Sequence, residues 1–204
     1  MPLTRLSLAT STRDGEPADH SCAGRRLKRL IDELADDLHS GAEDRQRIAL
    51  PPTDLVELTR RIPAESMRTL GSPNRVAISS SIRAVVGRWD PVRLERLTAN
   101  LIDNALKYSP ADKTVVVKIK RRSGQVVLTV SDQGVGIPAD EIPLVFNRFY
   151  RASNVVKRFP GTGLGLAGVH DIVEQHGGSM SVASAIGVGS TISVRLPLRG
   201  RELP

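Results

Sequence analysis

Apolar residues follow different spacings along the chain, and these spacings divide it into segments. Residues 1–21 are rich in Ser, Thr, Asp, Gly and Pro without any period, which predicts a disordered leader. Residues 24–39 carry apolar side chains at helical spacing with charged residues between them, which predicts an amphipathic helix. Because a single helix cannot bury such a stripe alone, we expect it to pack on its own domain or on a second copy of the chain.

A longer segment, from about residue 53 to 198, predicts one globular domain. Thr53 or Asp54 is placed to cap its first helix, and Pro63 is expected to interrupt that helix. Asp90, with a proline directly after it, marks the start of a long second helix. The helices are predicted over residues 53–70, 91–108 and 163–176.

Short runs rich in β-branched residues predict strands, and turns containing glycine separate the paired ones. The strands are expected over 75–78, 83–86, 115–119, 126–130, 179–184 and 191–196. Helices and strands alternate, but hairpins are also present. We therefore predict an α/β fold, a two-layer α/β sandwich whose mixed, mainly antiparallel sheet is covered on one face by helices and preceded by the separate amphipathic helix.

Composition limits the core and the class of partner. Aromatic residues make up only 3%, so the core must be aliphatic. The formal net charge is +7, and the excess of basic residues lies within 49–204, where only Lys118, Lys120, Arg121 and Arg122 cluster tightly. Aromatic residues interleaved for base stacking are lacking. We therefore expect a solvated basic surface or a polyphosphate ligand, and no nucleic acid.

Other classes of site are excluded by residue counts and spacing. Cys22 is the single cysteine, so there is no disulfide framework and no cysteine-built zinc site. The four histidines are scattered without metal-ligand spacing. No apolar run approaches the roughly 18 residues that cross a bilayer. We therefore expect no membrane segment in this chain.

The helix predicted over 91–108 carries a face of chemical interest. Asn100, Asn104 and Lys107 share it, and a separate face carries a stripe of leucines. An amide oxygen is a neutral, hard ligand for Mg²⁺, and a lysine ammonium is a point charge for phosphate. A polar surface stripe without a ligand explains the same pattern and stays open for this segment alone.

Two glycine-containing segments follow. Asp132, Gly134 and Gly136 come directly after a strand, where a carboxylate could accept from an adenine amine or simply end the strand as an Asx turn. Residues 161–166, Gly-Thr-Gly-Leu-Gly-Leu, open a helix and leave backbone N–H groups for phosphate oxygens. Neither the dinucleotide fingerprint nor a P-loop is present, because the flanking strand, acidic residue or Lys-Ser/Thr is missing.

In this order the segments resemble the ATP-binding catalytic domain of sensor histidine kinases of two-component systems. Their superfamily (GHKL, with the Bergerat fold) includes DNA gyrase, Hsp-type chaperones and MutL. Residues 100–109 are similar to the asparagine box, and 132–138 to the first glycine box. The phenylalanine box, the second glycine box and the terminal glycine turn are matched by residues 145–151, 161–167 and 187–191. The resemblance spans about residues 24–198.

The resemblance implies a role for each matching residue. Asn104 would coordinate Mg²⁺, with Asn100 assisting through phosphate or water. Lys107 and Tyr108 would contact the phosphates or ribose, and Arg151 would meet the γ-phosphate. Asn100, Lys107 and Arg151 are thereby the expected catalytic residues, with ATP and Mg²⁺ as cofactors.

The same resemblance assigns the base pocket and the lid. Asp132 would accept a hydrogen bond from the adenine amine, while Gly134 and Gly136 would let the base approach. Phe146 and Phe149 would anchor their box by packing, and residues 152–160 would form a short, mobile ATP lid. The hinge and phosphate cradle would be Gly161, Thr162, Gly163, Leu164, Gly165 and Leu166. His170 and His176, on the following helix, are expected at the surface.

One position separates kinases from hydrolysing relatives in this superfamily. Four residues before the metal-binding asparagine, the hydrolysing members carry a glutamate that activates water. Asn100 stands there in this chain and cannot act as a general base. We therefore expect transfer of the γ-phosphoryl group to a histidine of another domain, rather than ATP hydrolysis of the gyrase or chaperone type.

The expected acceptor motif, a His followed by Glu or Asp and then Arg and Pro, is missing from the 204 residues. Residues 22–48 resemble only the second helix of the dimerisation and phosphoacceptor hairpin, so we interpret the chain as a fragment or truncated product. The expected divisions are 1–21, 22–48, 49–200 for the catalytic domain and a tail at 201–204. A stand-alone anti-sigma-type serine kinase, which needs no such hairpin, is the alternative.

The partners implied are ATP, the acceptor hairpin within a homodimer and the receiver domain of a response regulator. A cytoplasmic location is expected, with anchoring of a full-length parent left open.

Overall fold

A computed structural model describes residues 50–69 and 75–199 of the chain, and side chains only outside 63–69. The predicted leader, the amphipathic helix over 24–39 and the tail at 201–204 lie outside these residues. Among the described helices, none combines the length and apolar character needed to cross a membrane.

Three helices and seven strands make up the described part of the chain. The helices are α1 (Leu55–Thr69), α2 (Pro91–Tyr108) and α3 (Gly165–Gln175). The strands are β1 (Pro52–Asp54), β2 (Val76–Ser80), β3 (Val86–Arg88), β4 (Val115–Arg122), β5 (Gln125–Ser131), β6 (Ser179–Ala185) and β7 (Gly189–Pro197). A single 3₁₀ turn covers Ile142–Leu144.

Five of the strands form the main sheet, in the order β2-β4-β5-β7-β6. The β2–β4 pair is parallel, and every other pair in this sheet is antiparallel. β1 and β3 form a separate antiparallel pair, with Pro52 opposite Arg88. The sheet is thus mixed and mainly antiparallel, as the sequence predicts.

The core lies between one face of the sheet and the helices. Along β4 the residues alternate, so that Val115, Val117 and Ile119 are buried while Lys118 and Lys120 are exposed. The apolar stripe of α2 is fully buried against them, and α3 adds further aliphatic side chains. The predicted two-layer α/β sandwich is confirmed, and its core is aliphatic except for the fully buried Trp89.

Local signals account for the helix starts. The Asp90 carboxylate accepts from the backbone N–H of Val92 at 2.9 Å and of Arg93 at 3.1 Å, so it caps α2 as predicted. Asp54 caps α1 by accepting from Val56 N at 3.0 Å. The expected interruption at Pro63 is wrong, because α1 continues through it to Thr69. Burial of apolar residues in the preceding turns compensates for the one missing N–H.

Two short segments differ from the prediction. β1 was expected only as a helix cap, and the strand predicted over 83–86 is found two to three residues later, at Val86–Arg88. Both differences have one cause, since β1 and β3 pair with each other outside the main sheet. Such a pairing depends on a partner distant in sequence, which apolar periodicity does not reveal.

His176 is not a surface residue, which corrects the sequence prediction. Its side chain is 1% exposed and lies at the C-terminal end of α3. Ring atom Nδ1 is 2.8 Å from the carbonyl oxygen of Ile172, and Nε2 accepts from the backbone N–H of Asp90 at 3.0 Å. The neutral imidazole, protonated at Nδ1, satisfies both bonds and ties the start of α2 to the end of α3.

We expect this buried imidazole to make the stability of the domain fall in mild acid. Burial lowers the pKa of His176, and the charge of Arg93 adds to this, while the Ile172 carbonyl and the Asp90 carboxylate oppose it. The unfolded chain therefore binds a proton more readily than the folded one, so stability is complete above the ordinary histidine pKa and declines as pH falls below it. Urea unfolding from pH 7.5 to 5 measures this.

Variants of His176 and of the neighbouring His170 provide a test and its control. A His176→Leu variant is expected to be less stable at neutral pH but to lose part of the decline in acid. His170→Gln, which changes a half-exposed ring, is expected to keep the full decline. A wild-type decline retained in His176→Leu would contradict the assignment.

Candidate functional site

The polar face of α2 meets the glycine-rich segment that precedes α3. Asn100, Asn104 and Lys107 are all half-buried on this face, as their spacing predicts. The amide nitrogen of Asn104 lies 3.6 Å from the position that a Cβ on Gly165 would take. Asn104 therefore faces the first residue of α3, where backbone N–H groups lack helical partners.

Two cationic side chains converge on Gly161. The ammonium nitrogen of Lys107 is 2.7 Å from the position of a Cβ on Gly161, and Nε of Arg151 is 3.9 Å from it. Gly161 has a φ of +158°, so it lies at the edge of the region that other residues rarely adopt. Two cations beside a glycine backbone form a concentrated positive site, which attracts phosphate oxygens.

Arg151 is held by the segment predicted to be the lid. Its terminal nitrogen donates to the carbonyl of Val155 at 3.3 Å and to the carbonyl of Phe159. Residues 152–159 form turns, in which Phe159 N donates to Val155 O at 3.0 Å. The lid backbone therefore fixes the guanidinium that the resemblance assigns to the γ-phosphate.

An aromatic contact joins the lid to the end of α2. The rings of Tyr108 and Phe159 meet edge to face with centroids 5.2 Å apart, and Lys107 Nζ lies 4.8 Å from the Tyr108 centroid. Burial raises the pKa of Tyr108, and the nearby charge of Arg151 opposes this. Tyr108, Lys107 and Arg151 thus form one cluster.

Asp132 lies at the end of β5, with one carboxylate oxygen fixed by backbone. Its Oδ1 accepts from Gly134 N at 2.8 Å and from Ser190 N at 3.2 Å. Burial raises the pKa of Asp132, and these two N–H groups oppose the shift. Because both donors take the same oxygen, the second oxygen is available to a ligand donor.

The glycines beside Asp132 are required by protein packing. A Cβ on Gly134 would collide with the carbonyl of Tyr108, and one on Gly136 would collide with the carbonyl of Ala185. Gly136 also has a φ of +69°, which a glycine adopts without strain. These contacts hold the first glycine box against α2 and β6, and access for a base remains a prediction.

The phenylalanine box differs from expectation at one of its two phenylalanines. Phe146 is half-buried, with its ring centroid 5.4 Å from that of His170. Phe149 is 66% exposed with a φ of +64°, so its predicted anchoring by packing is wrong. Val145 and Ala152 are the buried residues that fix this segment.

The second glycine box connects this segment to α3. Gly163 O accepts from Phe149 N at 3.1 Å, which holds Phe149 in its unusual conformation. Thr162 Oγ1 lies 3.4 Å from Leu164 N, and Leu164 is buried. Leu166 is partly buried and packs against the core.

Two polar residues that connect the boxes were not predicted from the sequence. Glu141 accepts from Tyr150 and Ser153, and Asn154 Nδ2 donates to Gly136 O at 2.9 Å. Neither lies within a recognised motif, and their partners are distant in sequence. The only available signal was their position, just outside the first glycine box and the phenylalanine box.

A sequence profile of one protein family matches just over half of the chain. The family is described as "Histidine kinase-, DNA gyrase B-, and HSP90-like ATPase", and the match covers residues 89–200. The chain belongs to this family. The match includes α2, both glycine boxes and the phenylalanine box, so it contains every site residue predicted above.

Relatives within this ATPase family are sensor histidine kinases. The circadian input-output histidine kinase CikA of Synechococcus elongatus is 31% identical over 183 residues, covering 86% of this chain and 24% of CikA. Sensor histidine kinase YkoH of Bacillus subtilis is 34% identical over 160 residues, covering 77% of this chain and 33% of YkoH. The chain spans a third or less of these two proteins.

Solved structures agree with this placement. The mycobacterial sensor histidine kinase MprB superposes with a TM-score of 0.65 at 32% identity, covering 74% of this chain and 100% of that chain. Full-length ShkA in complex with AMPPNP gives a TM-score of 0.73, covering 89% of this chain and 38% of ShkA, but at 24% identity it shows the fold alone. The chain is thus an ATP-binding catalytic domain of the sensor histidine kinase type, and the serine-kinase alternative is not favoured.

Proposed function

We propose that the domain binds Mg·ATP and transfers its γ-phosphoryl group to a histidine on a dimerisation hairpin, for relay to a response regulator. One observation carries the proposal: Lys107 and Arg151 converge beside Gly161, while Asn104 faces Gly165 at the start of α3. This arrangement supplies two cations, a neutral side-chain amide and helix N–H groups around one volume. It matches the needs of a triphosphate.

The residues at the triphosphate site also fit Mg²⁺. A hard cation prefers oxygen ligands and shares them with phosphate, and Asn104 offers an amide oxygen beside the proposed phosphate cradle. Asn100, one turn earlier on the same face, would assist through water or phosphate. When bound, the ion would neutralise charge on the phosphate oxygens.

The transfer step needs positioning rather than a protein base. The acceptor imidazole nitrogen attacks the γ-phosphorus, the bond to the β–γ bridging oxygen breaks, and ADP leaves. Lys107 and Arg151 would hold the phosphate oxygens and offset their charge during the transfer. Asn100 replaces the glutamate of hydrolysing relatives, so water would not be activated.

The hairpin, the homodimer and the receiver domain are proposals that rest on the kinase relationship. So is a cytoplasmic location, where ATP is available. In the 204 residues no histidine is followed by an acidic residue and then by Arg and Pro, since His170 precedes Asp171 but then Ile172. We therefore propose that the acceptor belongs to a part of the kinase that these residues do not include, and that this chain labels itself poorly.

Base selectivity tests the proposal. We expect ATP to displace a fluorescent ATP analogue, and GTP to be roughly ten- to a hundredfold weaker. The second Asp132 oxygen accepts the adenine amine, whereas guanine presents a carbonyl oxygen there and leaves two acceptors facing each other. Competition with both nucleotides in the presence of Mg²⁺ measures the ratio.

An Asp132→Asn variant sharpens this test. The N–H groups of Gly134 and Ser190 should keep the amide oxygen in the Oδ1 position and turn the amide nitrogen toward the base. The preference for ATP over GTP should then shrink or reverse. Equal potency of ATP and GTP on the wild-type chain would argue against the pocket, and no displacement by ATP would argue against the proposed function.

A further inference from the structure

Glu141 stands at the junction between the first glycine box and the 3₁₀ turn. Its backbone N–H donates to Pro138 O at 3.0 Å, and its carbonyl accepts from Leu144 N at 2.9 Å. The backbone on both sides of Glu141 is therefore fixed. The Cα of Glu141, from which the side chain extends, therefore has a fixed position beside the first glycine box.

The Glu141 carboxylate collects three hydrogen bonds from the start of the lid. Oε2 accepts from the Tyr150 hydroxyl at 2.8 Å and from Ser153 N at 2.8 Å, and Oε1 accepts from the Ser153 hydroxyl. Bonds from Ser153 and Tyr150 hold the pKa of Glu141 below its ordinary value, so the carboxylate is ionised at neutral pH. Hydrogen bonds to an ionised acceptor are the stronger kind.

These bonds bracket Arg151. Tyr150 directly precedes it, and Ser153 follows after the buried Ala152. Asn154 adds a second tie from the same segment, since its Nδ2 donates to Gly136 O at 2.9 Å. The backbone that carries Arg151 is thus attached to the first glycine box on one side, while the guanidinium lies beside Gly161 on the other.

We propose that Glu141 is a positioning residue that sets Arg151 for the γ-phosphate of ATP. It acts through Tyr150 and Ser153 rather than by touching the nucleotide. The inference deepens the proposed function and depends on it. Without the carboxylate, residues 150–153 lose the acceptor that fixes them, and Arg151 loses its fixed position relative to Lys107 and Gly161.

The test compares ATP with ADP, because only ATP carries the group that Arg151 would meet. In Glu141→Ala, ATP affinity should fall about tenfold, the size expected for weakening one hydrogen bond between Arg151 and the charged γ-phosphate, while ADP affinity stays within about twofold. Titration calorimetry of the full chain with Mg²⁺ gives both constants. General damage to the fold would weaken both nucleotides equally.

Two control variants separate geometry from charge. In Glu141→Gln the amide oxygen can accept from Tyr150 and Ser153 N, and the amide nitrogen can donate to the Ser153 hydroxyl, so most of the ATP affinity should return. Asp140→Ala removes a neighbouring exposed carboxylate and should leave the ATP to ADP ratio unchanged. If Glu141→Gln lost as much ATP affinity as Glu141→Ala, the negative charge rather than the hydrogen bonds would be responsible, and the positioning role would be overturned.

A double-mutant cycle with Arg151→Ala completes the test. If Glu141 acts through Arg151, Glu141→Ala should cost little further ATP affinity once Arg151 is gone. Additive losses would overturn the inference, as would an unchanged ATP to ADP ratio in Glu141→Ala. A wild-type chain that binds neither nucleotide would instead count against the proposed function itself.

Discussion

Replacing Asn104 by alanine is expected to abolish the Mg²⁺-dependent binding of ATP and to leave the fold intact. The side chain lies on the polar face of α2, half-buried, 3.6 Å from the position of a Cβ on Gly165. It offers an uncharged oxygen ligand at the proposed triphosphate site. Truncation removes that ligand without opening the core, because Asn104 is not among the buried residues of α2.

The measurement is ATP affinity with Mg²⁺ and with EDTA, alongside the circular dichroism spectrum. The wild-type chain should show a large difference between the two conditions, and Asn104→Ala should show almost none. Asn147→Ala, which makes the same change at an exposed position, should behave like the wild type. A folded Asn104→Ala variant with unaltered Mg·ATP affinity would show that Asn104 is not the Mg²⁺ ligand.

The main sheet and α2 follow from the sequence because their signals are local. The alternation Val115, Val117, Ile119 predicts a half-buried strand, and Asp90 before a proline predicts a helix start. Both are found as expected. The site residues on α2 follow with it, since a helix with known bounds fixes which side chains share a face.

Features that depend on contacts between residues distant in sequence could not be predicted from local patterns. Phe149 was expected to pack, yet its backbone is held at positive φ by the carbonyl of Gly163, which leaves the ring exposed. His176 was expected at the surface, yet its ring is buried and Nε2 accepts from the backbone N–H of Asp90. Each outcome depends on a partner more than ten residues away, so no local pattern encodes it.

The lid, residues 152–160, combines a length that the sequence predicts with contacts that it does not predict. Its length could be predicted from the spacing of the boxes, but its contacts could not: Arg151 donates to lid carbonyls, and Phe159 contacts Tyr108. Such contacts give the lid a defined arrangement around the cations at Gly161. A γ-phosphate would therefore enter a site in which Arg151 is already oriented, which reduces the cost of ordering that side chain.

Phosphoryl transfer to an added acceptor hairpin is expected to depend on Arg151. With radiolabelled ATP and Mg²⁺ the chain alone should label weakly, because no acceptor motif occurs in its 204 residues. It should also release phosphate slowly, because Asn100 cannot activate water. Adding a histidine-kinase hairpin should give label that is lost in acid and kept in base, as a phosphoramidate requires. Arg151→Ala should lower this labelling roughly a hundredfold or more, as expected for a cation at the transferred group.

Arg195→Ala is the matched control, since it removes an exposed arginine on the strand β7 and should label the hairpin normally. ADP affinity of Arg151→Ala should stay close to wild type, because ADP lacks the γ-phosphate. Strong acid-stable labelling of the chain alone would favour a serine kinase, and rapid phosphate release without acceptor would favour an ATPase. Undiminished hairpin labelling by Arg151→Ala would leave Lys107 as the cation that meets the transferred group, because it is the other cation beside Gly161.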